Sequence, residues 1–297
     1  ANSPPLRNTD WARTRQQDSD SGLESDIRTE NTSSLLIRLA HSLDTSPLAR
    51  AQAALTQFHQ PPQLPMVATP ATATSPAASA TPRLSLQSAT IGPDTTTIRS
   101  LDWDRSRFDI EFGLRNGTTY NSFLVRGERT ALIDTSHLKF EGSWLPLLQG
   151  LIDPKAIDHL IVSHTEPDHS GLIGHLLDLN PELEIVGSKV AIQFLENQVH
   201  RPFKSRAVKS GEELDLGTNP TSGVAHRFEF LSAPNLHWPD TIFSFDHGTG
   251  ILYTCDAFGL HYCSKELFDT DPGAIAPDFR FYYDCLMGPN ARSVLQA

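Results

Sequence analysis

Short runs of apolar and β-branched residues recur from residue 121 onward, each bounded by polar or turn-forming positions. This pattern predicts strands at 121–127 (NSFLVRG), 129–135 (RTALIDT), 159–164 (HLIVSH), 183–188 (LEIVGS), 226–233 (HRFEFLSA), 241–246 (TIFSFD) and 250–256 (GILYTCD). His247-Gly248-Thr249 separates the last two runs, and a short Gly-bearing connection of that kind predicts a hairpin. Other apolar positions follow helical spacing. Leu172, Ile173, Leu176 and Leu177 make one stripe, which Asn180-Pro181 stops; Val190, Phe194 and Leu195 belong to another. Strands that partly form hairpins and partly alternate with helices predict an α/β fold, a mixed-sheet sandwich covered by helices.

The first 98 residues have a different texture. No acidic residue lies between Thr45 and Pro93, and 60–90 is dominated by Ala, Pro, Ser and Thr. Such a stretch cannot bury enough apolar area to offset its chain entropy, so residues 1–98 are expected to be a disordered extension. The composition suits part of an organelle transit peptide or a plain linker, although the acids in 1–44 argue against a clean signal at the extreme N-terminus. Leu35, Leu36, Leu39 and Leu43 predict one weak helix within it, with Ser33 or Ser34 as N-cap.

Composition narrows the functions. The chain has 297 residues, 38% of them hydrophobic, a net charge of −11 and no basic patch, so it is a poor candidate for gripping nucleic acid. No apolar run approaches the roughly 18 residues of a membrane span. Cys255, Cys263 and Cys285 show neither disulfide-scaffold density nor CxxC spacing, which favours a reducing compartment. The runs 102–109 and 209–215 read as solvated edges.

The chemistry concentrates at HLIVSHTEPDHSG, residues 159–171. A buried strand runs into His164, Glu166, Asp168 and His169, four potential metal ligands within six residues, on a loop stiffened by Pro167 with a helix following at Ser170. Crowded carboxylates and imidazoles at the end of a buried strand repel or lose solvation unless a cation neutralises them. His237 in APNLHWPDT and Asp256 in LYTCDAFGLHY also sit where strands finish. Taken alone, the first reads as a satisfied loop residue and the second as a turn former.

The order H-x-E-x-D-H, then HWPD, then CDAFG resembles the diiron domain of the flavodiiron proteins. The resemblance spans roughly residues 99–297 and includes GLRNGTTYNSFLVRGERTALIDTSH and FYYDCLMGPN. It is strongest to the photosynthetic branch, of B-type, found in cyanobacteria and in chloroplasts of algae and lower plants. The resemblance implies a metallo-β-lactamase-like αβ/βα sandwich over 99–297, C-terminally incomplete because a further ligand histidine would fall beyond Ala297. It implies two irons: His164, Glu166 and His237 on one, Asp168 and His169 on the other, Asp256 bridging. It also implies reduction of dioxygen to water, or of nitric oxide, with electrons relayed by FMN from NAD(P)H or ferredoxin. The FMN would lie on a flavodoxin-like domain that meets the irons in a head-to-tail dimer with a partner subunit. Those parts lie outside these residues, so this chain alone is expected not to turn over. The expected location is the chloroplast stroma, or the cytoplasm of a cyanobacterium.

Zinc hydrolases of this fold carry H-x-H-x-D-H, whereas this chain has Glu166 at the third position. Three carboxylates then face the metals, and anionic oxygen donors suit redox-active iron better than zinc. The alternatives are a zinc-dependent hydrolase and a non-catalytic fragment. His226, His247 and His261 read as surface or outer residues. Cys255 and Cys263 read as buried inert thiols, a redox switch being the less common case. Trp238, Tyr253 and Tyr262 read as pocket walls.

Overall fold

A computed structural model describes residues 83–108 and 112–297. The chain runs through β1 (Leu84–Gly92), β2 (Thr95–Asp102), β3 (Arg107–Phe108), β4 (Phe112–Gly113), β5 (Thr118–Arg126) and β6 (Thr130–Ile133). Then come α1 (Glu141–Leu151), β7 (His159–Ile161), the short helix α2 (Pro167–Ser170), α3 (Ile173–Leu179), β8 (Glu184–Gly187) and α4 (Lys189–Val199). The second half contains β9 (Lys204–Ala207), β10 (Glu213–Thr218), β11 (Ala225–Ser232), β12 (Ile242–Asp246), β13 (Ile251–Tyr253), α5 (Pro272–Tyr282) and α6 (Ala291–Gln296).

The strands build two main sheets, with β3 and β4 as a separate pair. Seven strands pair in the order β1-β2-β5-β6-β7-β8-β9, antiparallel up to β6 and parallel from there to β9. The other sheet is the antiparallel meander β10-β11-β12-β13. Its last pair is the hairpin predicted around residues 247–249. Parallel strands need crossover connections, and α1, α3 and α4 provide them.

Strand alternation splits the apolar residues of the large sheet between two cores. Leu124, Leu132, Leu160 and Val162 pack outward with Trp144, Leu148, Leu172, Ile173, Leu176, Leu177 and Leu195 of the helical side. Val125, Ala131, Ile133, Ile161 and Val186 pack inward against Leu214, Leu216, Phe228, Phe230, Ile242 and Tyr253 of the meander. The meander's far face joins Leu236, Phe243 and Ala257 to Met287 near the C-terminal helices. The result is a helix–sheet–sheet–helix sandwich, as the sequence predicts. Among the described residues, no helix is long and apolar enough to cross a membrane.

Several expectations need correcting. Residues 84–98, assigned by composition to the extension, form β1 and half of β2. Eight matched positions from Leu84↔Asp102 to Gly92↔Thr95 tie β1 to the sheet. Thr and Ser hide this strand from an apolar count, but backbone pairing supplies what side chains do not. The predicted helix at Leu35–Leu43 lies outside the described residues. The supposed solvated runs also bury side chains: Asp102 and Phe108 in the first, Leu214 in the second. On α4 the buried face is Ala191, Ile192 and Leu195, while Phe194 is exposed.

His226, read as surface or outer, is fully buried on β11. Its Nδ1 lies 2.8 Å from Asp246 Oδ2 and its Nε2 lies 3.3 Å from Asp94 Oδ2. Burial opposes the charged ring, but the hydrogen bonds to the two carboxylates outweigh it and raise the His226 pKa. Burial likewise opposes the Asp246 carboxylate, and hydrogen bonds from His226 and Thr249 outweigh it and lower that pKa. A raised histidine contributes stability below its unfolded pKa of about 6.5 and loses it as pH climbs through the folded value. A lowered carboxylate contributes above about 3.9 and loses it as pH falls through the folded value. The pair therefore stabilises most between these limits. His226→Gln is expected to cost about 3 kcal/mol there, because it strands a buried carboxylate. Melting curves across pH should show the wild-type advantage shrinking as pH rises above the His226 pKa.

Candidate metal centre

Strand β7 ends buried, and the chain leaves it at the seam between the two sheets. Ile242 of β12 donates its N–H to Ser163 O at 2.9 Å, and Ser163 donates its own N–H to Asp134 Oδ1 at 2.8 Å. Asp240 Oδ2 accepts both the N–H and the hydroxyl of Thr165, each at 2.8 Å. Pro167 then opens α2, where its missing N–H costs nothing. Ser170 Oγ donates back to Thr165 O at 2.9 Å, closing the loop. Gly171 follows because a Cβ there would meet Pro167 O at 2.5 Å and Ser136 O at 2.9 Å. The loop is thus clamped at nearly every residue, and His164, Glu166, Asp168 and His169 are all buried upon it.

Two further segments bring the remaining side chains. The turn after β11 is pinned by Leu236, fully buried, and by Asn235 N–H donating to Trp238 O at 2.8 Å. It presents His237. The segment after β13 turns through Cys255, whose φ of 52° is left-handed, and presents Asp256.

All six expected side chains converge. His164, Glu166, His237 and Asp256 each offer one donor atom, and these lie within 4.8 Å of one another. Glu166 Oε2 is 3.2 Å from His164 Nε2 and 2.9 Å from His237 Nε2. Asp168, His169 and Asp256 form a second such group. Asp256 belongs to both: Oδ2 lies 3.4 Å from His237 Nε2, and Oδ1 lies 2.9 Å from His169 Nε2. One carboxylate thereby faces two adjacent donor sets with its two oxygens, the placement expected of a bridge.

The charges at this site depend on one another. Burial would raise Glu166, yet hydrogen bonds from His164 and His237 bring it down to about 2. Burial opposes charge on His237, and Asp256 and Glu166 lift it to about 9. His169 is held well above its ordinary value because Asp168 and Asp256 outweigh its burial. Asp256 is held well below its own because His169 and His237 outweigh its burial. Asp168 is the exception, pushed up to about 6 by burial. Its Oδ1 is buried and has no hydrogen-bond partner among the described residues. Protons and imidazolium rings hold this cluster together where cations can do so instead.

Spacing in the sequence does not single out three residues around this cluster. Asp134 and Asp240 hold the ligand loop from 29 and 75 residues away, and such contacts leave no local signature. Cys255, read as an inert thiol, places Sγ 3.2 Å from His164 Nδ1 and 3.4 Å from His169 Nδ1. Burial pushes that thiol's pKa up. His261 is half-buried, stacked on Phe108 with ring centroids 4.4 Å apart, and burial lowers its pKa to about 4. It borders a cavity of about 110 Å3 that Asp256, Tyr253 and Tyr282 also line. Trp238 stands 6.0 Å from the His164 ring, as a wall residue would. Tyr262 borders a different hollow, and His247 pairs with Glu229 at the surface.

Comparison with known proteins places this geometry. The model of the ODP family beta lactamase matches residues 118–294. Diflavin flavoprotein A 1 of Synechocystis sp. is 63% identical over 215 residues, 72% of this chain and 36% of the relative. A diflavin flavoprotein A of Nostoc sp. is 66% identical over 215 residues, with the same shares covered. The chain therefore spans about a third of the length of the curated relatives it matches. Among solved structures, the metal-soaked Flv1 flavodiiron core from Synechocystis sp. superposes with a TM-score of 0.67 at 33% identity. That match covers 73% of this chain and 53% of the other. Rubredoxin oxygen:oxidoreductase from Desulfovibrio gigas gives a TM-score of 0.65 at 29% identity, covering 71% and 51%.

Proposed function

The chain belongs to the flavodiiron proteins through its metallo-β-lactamase-like domain, and from that premise we propose that it holds the diiron centre of an oxidoreductase that reduces dioxygen to water. The observation that carries this reading is Asp256, whose two oxygens face two separate donor sets.

The donor set fits an iron pair. Three carboxylates and three imidazoles supply anionic oxygen in a proportion that suits iron better than zinc. The partnerless Oδ1 of Asp168 is a buried acceptor that a cation would satisfy. His164, Glu166 and His237 would hold one metal, Asp168 and His169 the other, with Asp256 between them. When bound, two adjacent irons supply electrons jointly to a diatomic oxidant. The protein's part is to fix the donors before the metals arrive. Asp240 and Asp134 hold the loop backbone, and the buried aromatic and aliphatic surroundings limit access of water.

Electrons would come by way of FMN on a flavodoxin-like domain, from NAD(P)H or ferredoxin, with a partner subunit bringing the flavin to the irons. The name of the Desulfovibrio gigas relative, rubredoxin oxygen:oxidoreductase, supports dioxygen as the substrate, with nitric oxide as the alternative, and the proposed setting is the chloroplast stroma or a cyanobacterial cytoplasm. Anaerobic titration of the metal-free protein with Fe(II), followed by competition with Zn(II) and elemental analysis, tests the central reading. Two irons per chain are expected from the Fe(II) titration, and the pair is expected to resist exchange with zinc once oxidised to the ferric state, which anionic oxygen donors favour. Zinc without iron would make it a hydrolase centre, and fewer than two tight sites would make it a non-catalytic fragment.

A further inference from the structure

Beside the two donor sets lies the cavity of about 110 Å3, bordered by Asp168, His169 and Asp256. A second hollow, of about 230 Å3, is walled by Phe112, Leu114, Pro277 and Phe281, with Arg115 and Asp278 completing it. The Asp278 carboxylate there already accepts the Asn116 Nδ2–H at 2.8 Å. The hollow opens to the surface, where Phe281 stays 46% exposed. Among the described residues, His261 is the one side chain that borders both spaces. Its ring stands as a wall between them. It stacks on Phe108, and it meets Phe112 and Tyr282 edge-on with centroids 5.1 Å away in each case. The two edges of the ring are held unequally. Nδ1 lies 2.9 Å from Thr118 Oγ, whereas Nε2 is buried and has no hydrogen-bond partner among the described residues. Burial keeps the ring neutral.

We propose that this hollow is the entry for the diatomic substrate and that His261 is the gate between it and the metal cavity, a residue that determines what reaches the metals. Dioxygen and nitric oxide are small, uncharged and more at home in apolar surroundings than in water, so an aromatic passage admits them. A charged solute would lose its hydration there without gaining a partner, so the same passage turns it away. The bonding around the ring suits a hinge. Swinging it outward breaks the Thr118 contact and the stack on Phe108, while Nε2 gives up nothing. The hollow provides the room for that movement. Both anchors belong to strands, Phe108 to β3 and Thr118 to β5, so the frame stays fixed while the ring moves. One side chain turning on a rigid frame changes access without reshaping the donor set.

The inference rests on the diiron reading for its substrate, and the test separates the two. In the metal-free protein, dissolved dioxygen is paramagnetic and broadens the NMR signals of the methyl groups it reaches. Leu114 then reports on the hollow, and Ile133 and Leu252 report on the cavity. In the Fe(II)-loaded protein, anaerobic stopped-flow mixing gives the rate at which nitric oxide binds. Broadening at all three residues is expected in the wild type. His261→Trp fills the passage, so the broadening of Ile133 and Leu252 should be lost while that of Leu114 remains. Leu114→Trp, which plugs the hollow itself, stands in if that variant does not fold, and it too should protect Ile133 and Leu252. Thr118→Val removes the one hydrogen bond that holds the ring shut, and nitric oxide binding should accelerate about 2- to 10-fold. Undiminished broadening at Ile133 and Leu252 in either tryptophan variant would overturn the entry route. A nitric oxide rate unmoved by Thr118→Val would overturn the gate. If the wild type takes up fewer than two irons, the diiron reading fails, while the methyl signals of the metal-free protein still decide the route.

Discussion

Asp256→Ala is expected to reduce iron binding from two per chain to one at most. The surviving site is the one that keeps His164, Glu166 and His237. The other site would be left with Asp168 and His169 alone, and two protein donors do not hold iron against buffer. Partners one step removed from a metal already cost 10- to 100-fold when lost, so removing the ligand common to both sites should cost more than about 100-fold in affinity at the second. Dioxygen consumption by the full electron-transfer system should fall at least as far. Iron analysis after anaerobic desalting checks the stoichiometry, and two irons in Asp256→Ala would remove the bridging role. Metal-free folding should survive, because Asp256 lies on the rim with 18% of its side chain exposed.

Asp240→Ala should act through the backbone. Asp240 is fully buried, and its Oδ2 accepts the hydrogen bonds of both Thr165 N–H and Thr165 Oγ–H. Truncation strands two buried donors at about 1–3 kcal/mol each, some of it recovered by water entering the space. A loss of about 3 kcal/mol corresponds to roughly 6–12 °C in a domain of this size. Thr165 sits between His164 and Glu166, so looser metal binding should accompany the lower melting temperature. Asp240→Asn keeps an oxygen acceptor and should recover much of both. Differential scanning calorimetry of the metal-free variants checks the stability, and a wild-type melting temperature for Asp240→Ala would refute the clamp.

The two mutations illustrate what sequence can disclose. His164, Glu166, Asp168 and His169 are legible because a strand end packs four ligands into one short loop, and because that order of residues resembles a family. His237 and Asp256 gain meaning only through the resemblance, since each alone looks like a loop residue. Asp134, Asp240 and Cys255 stay hidden: their partners lie 29, 75 and up to 121 residues away, and no periodicity encodes such contacts. Apolar patterning found most strands that face the two cores, yet it missed β1, where Ser85, Gln87, Ser88 and Thr90 interrupt the apolar positions. It placed Phe194 inside, but α4 presents Ala191 and Ile192 to the core, and the larger side chain turns outward.

The two apolar cores on either face of the seven-stranded sheet contain none of the six metal ligands. Folding can therefore finish before any ion is captured, unlike a zinc finger, whose chain stays unfolded without its ion. The newly made protein would be a ready receptacle. What fills it in the cell would then be governed by the local supply of ions and by delivery, rather than by the act of folding itself.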